Sequence, residues 1–263
     1  MPTVLVFDID GTLVPHGSAP HPAMQPALER ARRAGCVMLL ATARRRTSGL
    51  ERLGALASVL DDGVFNNGAC TWQGGALWAA ETIEPTAAAR AYARMAAHPA
   101  THRTSVALAD EGIAFSEPLS DAERLQWGVR REDLRTVDAA LGADTVRLCS
   151  WTLKGDLCEL RDELEEQTAE ACRWTLVDAG TCLFGTPTGV DKATAVQRWC
   201  EAHGYAAEDT IAFGDDVSDR SLLEWAGTAV AMADGHEDVR AIADTLAPPA
   251  HEGGVGTLLS QWI

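Results

Sequence analysis

The chain has 263 residues, 46% hydrophobic and 23% charged, a globular composition with enough length for one large domain or two smaller ones. With 22 Lys and Arg against 38 Asp and Glu the formal net charge is −16, and the short Arg44-Arg45-Arg46 run does not offset it, which argues against nucleic-acid binding by phosphate neutralisation. The 7 cysteines are scattered, with no Cys-x-x-Cys pair, so neither a zinc site nor a disulfide framework is expected and a reducing compartment suits them.

The apolar run Val4-Leu5-Val6-Phe7, bounded by Asp8 and Gly11, reads as a strand buried on both faces of a parallel sheet. Residues 22–34 carry Met24, Ala27, Leu28 and Ala31 at helical spacing, Gly35 supplies a C-cap, and residues 36–41 form a second apolar strand. A helix is expected over 47–56, with strands near 63–66 and 76–79 around the turn-forming Asn66-Asn67-Gly68. The rhythm changes between residues 83 and 187. A helix to Ala97 precedes a hairpin over 104–115 turning at Glu111-Gly112, and helical sequence follows to Leu141. Then come a strand near 145–151, a helix over 155–168 and a hairpin over 174–185 turning at Ala179-Gly180. Strand and helix alternate again from residue 192, with strands at 210–213 and 228–232. The pattern predicts an α/β protein: a doubly wound parallel-sheet (Rossmann-like) core of residues 1–82 and 188–263, and an inserted α+β cap domain of residues 83–187 placed over the sheet's active edge. No charged stretch precedes the first apolar run and no run approaches membrane-spanning length, so a cytoplasmic protein without a membrane partner is expected.

Chemistry concentrates in four short stretches. In Asp8-Ile9-Asp10-Gly11-Thr12, alternation along a strand sends the Asp8 and Asp10 side chains to one side, although Asp-x-Asp-Gly is also a plain strand-to-turn exit. Asp215 and Asp219 follow a later strand at a spacing that brings them together if a helix starts there; N-capping alone also explains them. Carboxylates gathered in one cleft repel unless a hard cation holds them, and oxygen-only ligation selects Mg²⁺. Thr42, after the second strand, offers a hydroxyl at an expected helix start, where an anion or a simple cap is accommodated. Lys192, opening a helix after Gly189-Val190-Asp191, opposes the helix dipole and makes sense facing anions.

In this order the four stretches resemble the motifs of the haloacid dehalogenase-like hydrolase superfamily, and the position and α+β pattern of the insert are similar to those of its Cof-like, subfamily IIB phosphatases. The resemblance implies Mg²⁺-dependent hydrolysis of a small phosphate monoester, such as a sugar phosphate, through an aspartyl-phosphate on Asp8. Asp10 would protonate the leaving oxygen and then activate water. Mg²⁺ would be held by Asp8, the Asp10 carbonyl and Asp215; phosphate by the Ile9 and Ala43 backbone, Thr42, Lys192 and Ser218; and Asp219 would position Lys192 or a metal-bound water. Asp216 receives no firm role. Two positions depart from the family pattern: Thr42-Ala43-Arg44 replaces Thr-Gly-Arg, and Ser218 replaces an Asn. A phosphomutase using the same intermediate and a non-catalytic sugar-phosphate binder remain as alternatives.

Overall fold

The computed structural model describes residues 3–263. β1 (Val4–Phe7) is wholly buried, and α1 (Met24–Arg33) turns the predicted Met24, Ala27, Leu28 and Ala31 into the core. β2 (Val37–Ala41) follows, and α2 (Arg46–Leu53) is shorter than expected because residues 54–58 tighten into a 3₁₀ turn. β3 (Gly63–Phe65) leads through the Asn66–Gly68 turn into β4 (Cys70–Gln73), and β5 (Ala76–Ala80) closes this stretch. β4 escapes the pattern reading because four mixed residues show no clear alternation; antiparallel pairing with β3 creates it.

In α3 (Pro85–Ala97) the Glu84 carboxylate accepts the Thr86 and Ala87 amides, and Pro85 occupies the position where no N–H is needed. β6 (Arg103–Leu108) and β7 (Ile113–Phe115) form the first expected hairpin. The helical stretch expected up to Leu141 is broken into α4 (Asp121–Gln126), a 3₁₀ turn at Arg131–Asp133 and α5 (Val137–Leu141), because a Ser120–Glu123 capping box starts the first piece and Gly128 interrupts it. β8 (Thr145–Trp151), α6 (Cys158–Thr168), β9 (Cys172–Val177) and β10 (Cys182–Pro187) complete a sheet ordered β7-β6-β8-β10-β9, antiparallel throughout. One face of this sheet packs Val106, Leu148 and Leu183 against Ala88 and Met95 of α3 and Leu160 and Leu164 of α6.

The chain then runs through α7 (Lys192–Ala202), β11 (Thr210–Gly214), α8 (Arg220–Trp225), β12 (Thr228–Met232), α9 (Glu237–Arg240), β13 (Thr245–Ala247) and α10 (Gly254–Trp262). These strands join the first five in the order β13-β12-β11-β1-β2-β3-β4-β5, parallel from β13 to β3. The mixed α/β fold with a mostly parallel sheet and a separate antiparallel one is the predicted class. Two compact units result: one runs to Trp78 and resumes over Asp191–Ile263, the other is Ala79–Val190. Among the described residues no helix is long and apolar enough to cross a membrane.

Candidate active site

Three neighbouring strands, β2, β1 and β11, run parallel in register, with Phe7 opposite both Leu40 and Phe213. Their carboxyl ends therefore deliver Thr42, Asp8 and the Gly214-Asp215 corner to one edge, the usual place for a site in an open parallel sheet. Asp8 is anchored by its amide, which donates to the Phe213 carbonyl at 3.0 Å.

Lys192 joins the cluster from the first turn of α7. Its Nζ donates to Asp8 Oδ1 at 2.7 Å and to Asp219 Oδ1 at 2.6 Å, with the lysine 1% and Asp219 0% exposed. Burial alone would favour a neutral lysine, but Asp219 and Asp8 outweigh it and hold the ammonium well above the ordinary lysine range. The other Asp219 oxygen accepts the Asp215 and Asp216 amides at 3.0 and 3.1 Å, closing the loop after β11. A short 3₁₀ turn, Val217–Asp219, lies between Asp215 and α8, so it is this loop closure that brings Asp215 and Asp219 together. Gly214 is required there, since a Cβ would lie 2.5 Å from Asp219 Cβ.

Asp215 is held through Oδ1 by the Thr12 hydroxyl at 2.7 Å. Gly11, at φ +84°, allows the approach: a Cβ there would lie 2.1 Å from Asp215 Oδ2. Asp8, Asp215 and Asp219 present carboxylate oxygens within 4.8 Å of one another. Against three buried carboxylates stands one ammonium: burial pushes Asp8 up to about 7 against the opposing pull of Lys192, with the Asp219 charge adding to the rise, and burial followed by the charges of Asp8 and Asp219 pushes Asp215 up to about 8. The donor set is all oxygen, and its excess of two negative charges matches a hard divalent cation; the residues present fit Mg²⁺.

The Asp10 side chain goes elsewhere. Rather than joining the Asp8 cluster it meets two arginines: Arg44 donates from Nε to Oδ2 at 2.5 Å and from Nη2 to Oδ1 at 2.9 Å, and Arg52 donates from Nε to Oδ1 at 3.0 Å. Burial works against this carboxylate, but the hydrogen bonds and charges of Arg44 and then Arg52 prevail and hold it below the usual carboxylate range. Simple alternation failed here because β1 ends at Phe7 and the chain turns sharply, with the Val14 amide donating to the Ile9 carbonyl at 2.8 Å.

Thr42 also differs from expectation. It is not at a helix start, since α2 begins at Arg46; instead its buried hydroxyl accepts the Arg44 amide at 3.2 Å, shaping the turn after β2. The Asn66 and Asn67 amides donate to the Arg44 and Thr42 carbonyls, pinning the same turn from the far side. Ile9 is buried directly after Asp8, Ala43 lies in the Thr42 turn, and Ser218 is half-buried beside Asp219. The residues that sequence reasoning passed over are Thr12, Arg44 and Arg52. The first two stand inside recognised stretches, whereas Arg52 carries no local signal at all.

A parallel sheet with this acidic, lysine-bridged edge defines a hydrolase-type site, and the comparisons agree. The profile of the haloacid dehalogenase-like hydrolases matches residues 5–259, and the chain belongs to that family. It is similar to a pyridoxal phosphate phosphatase of Escherichia coli (strain K12), YbhA, 28% identical over 92% of this chain and 91% of that protein. A 5-amino-6-(5-phospho-D-ribitylamino)uracil phosphatase of Bacillus subtilis, YitU, is 28% identical over 47% of this chain and 46% of its own length. Among solved structures, the subclass IIB sugar phosphatase BT4131 superposes with a TM-score of 0.82 at 22% identity, covering 99% of this chain and 98% of that one. A HAD/COF-like hydrolase from Plasmodium vivax gives 0.85 at 19% identity, covering 99% and 95%.

Proposed function

We propose that this protein is a Mg²⁺-dependent phosphatase of small phosphorylated metabolites, with Asp8 as nucleophile. The observation that carries the reading is the buried Lys192, which bridges Asp8 and Asp219 beside Asp215. An ammonium has three donors and two are used here, so the third is available to a phosphoryl oxygen at the nucleophile. Phosphatase relatives acting on pyridoxal phosphate and on a ribitylaminouracil phosphate, and the fold shared with a sugar phosphatase, support the substrate class.

Asp8, Asp215 and the Asp10 carbonyl would hold the metal, which when bound supplies the positive charge that lets a phosphate dianion approach carboxylates. An Asp8 oxygen forms a bond to phosphorus as the ester P–O bond breaks, and Asp10, which must first take up a proton against the pull of Arg44 and Arg52, passes that proton to the departing oxygen. Water then bonds to phosphorus, the Asp8–phosphorus bond breaks, and the water proton passes to Asp10. Lys192 steadies phosphoryl charge throughout, Thr42, Ser218 and the Ile9 and Ala43 amides complete the phosphate cradle, and Asp219 holds Lys192 in place. We assign selectivity among esters to the insert, residues 83–187.

The test is Asp8→Asn, assayed on 4-nitrophenyl phosphate with and without Mg²⁺. Turnover should fall more than roughly 100-fold while the circular dichroism spectrum is unchanged, and chelation should silence the wild type. Residual variant activity above that level, or full wild-type activity in excess chelator, would remove the mechanism.

A further inference from the structure

Arg52, projecting from α2 and 20% exposed, is bound more extensively than a surface arginine needs to be. Its guanidinium donates to Asp10 Oδ1 at 3.0 Å, to the Ser18 carbonyl at 2.7 Å and to the Pro15 carbonyl. Arg44 takes the same carboxylate through two parallel bonds. A carboxylate oxygen presents two lone pairs in its plane. At Oδ1 both are filled, one by each arginine; at Oδ2 only one is filled, by Arg44. The paired bonds from Arg44 fix the carboxyl to a guanidinium that itself donates to the Ser48 hydroxyl of α2 at 3.1 Å. Arg52 adds the segment that follows Asp10, because it ties the carboxyl and the Pro15 and Ser18 carbonyls together to the same helix.

We propose that Arg52 is a positioning residue for proton transfer: by filling Oδ1 and buckling the 10–18 segment to α2, it sets the plane of the Asp10 carboxyl and leaves Oδ2 as the oxygen that carries the proton. This role rests on the phosphatase reading above. In the first step the Asp8–phosphorus bond forms, the ester bond breaks, and the proton leaves Oδ2 for the departing oxygen. In the second, water bonds to phosphorus, the Asp8–phosphorus bond breaks, and a water proton returns to Oδ2. A carboxyl free to rotate would offer either oxygen at a range of angles, and proton transfer is unforgiving of direction.

The experiment compares 4-nitrophenyl, phenyl and benzyl phosphate, probes of similar size whose departing oxygens need a proton progressively more. For wild type, Arg52→Gln and Arg52→Lys, kcat/KM is taken at its pH-independent limit in saturating Mg²⁺, so that a change of ionisation does not imitate a change of position. For Arg52→Gln the loss should be roughly 10- to 100-fold on benzyl phosphate and within about 3-fold on 4-nitrophenyl phosphate. Arg52→Lys should lose in the same order by less, and it decides the matter if the Gln variant does not fold. Losses equal across the three esters, or no loss, would overturn the positioning role. If the wild type hydrolyses none of them, the phosphatase reading itself fails and this role falls with it.

Discussion

In the eight-stranded sheet the functional charges gather beyond the carboxyl ends of β2, β1 and β11, whereas in the five-stranded sheet the arginines stand on the strands themselves. Arg103 in β6 lies over the Trp127 ring and pairs with Glu123 at 2.7 Å, and Arg147 in β8 lies over Phe184. Both of these arginines are covered by a ring face within their own unit, and Arg103 by an opposite charge as well. The first sheet's edge is different in kind: the carboxylates of Asp8, Asp215 and Asp219 outnumber the Lys192 ammonium between them, which makes it a candidate metal site. Chemistry is expected where the charge is unbalanced, and selectivity and stability where it is not.

The strongest way to break this contrast is Lys192→Ala. Removing the Lys192 ammonium from this buried carboxylate cluster should cost about 3–5 kcal/mol in the metal-free protein and reduce turnover roughly 10³-fold, measured by thermal unfolding and steady-state kinetics. A stable, active variant would mean that the edge is not charge-limited. Next in size is replacement of residues 83–187 by a short Gly/Ser linker. In folded material, preferences in kcat/KM across a panel of sugar and aryl phosphates should flatten by roughly 10-fold or more, with phosphate and metal binding retained. An unchanged ranking would transfer selectivity to the parallel-sheet unit.

The pH dependence sharpens the same point. Without metal, the folded protein keeps protons on Asp8, raised to about 7, and Asp215, raised to about 8, that the unfolded chain has already lost above the ordinary carboxylate range. Their contribution to stability is present at low pH and lost as pH rises through those two values. Mg²⁺ competes with the same protons, so the rise in Tm on adding millimolar Mg²⁺ should be larger at about pH 8.5 than at about pH 6. Equal shifts at both would exclude these carboxylates as ligands. Smallest is Thr168→Val in the other unit, which strands the buried Trp174 indole N–H now donating to Thr168 Oγ1 at 2.9 Å. A loss of about 1–3 kcal/mol with unchanged kcat/KM is expected, and a kinetic effect would couple the second sheet to the chemistry.

Much of this was legible in the chain itself. The apolar runs ending at Asp8 and before Asp215, with helices between, were enough for a doubly wound sheet, because burial on both faces leaves a continuous hydrophobic signature. Paired turns at Glu111-Gly112 and Ala179-Gly180 disclosed both hairpins of the insert, since turn chemistry is local. Asp8, Lys192, Asp215 and Asp219 were recognisable as a set, and the fold brings them together. What only the tertiary structure decided is which carboxylate each cation takes. Asp10 leaves its neighbour Asp8 for Arg44 and Arg52, because the turn after β1 redirects its side chain toward α2, 42 residues away from Asp10 in the case of Arg52. Backbone preference and hydrophobic period are properties of neighbouring residues, but a hydrogen bond across such a gap depends on how strand and helix pack, and no local pattern encodes it.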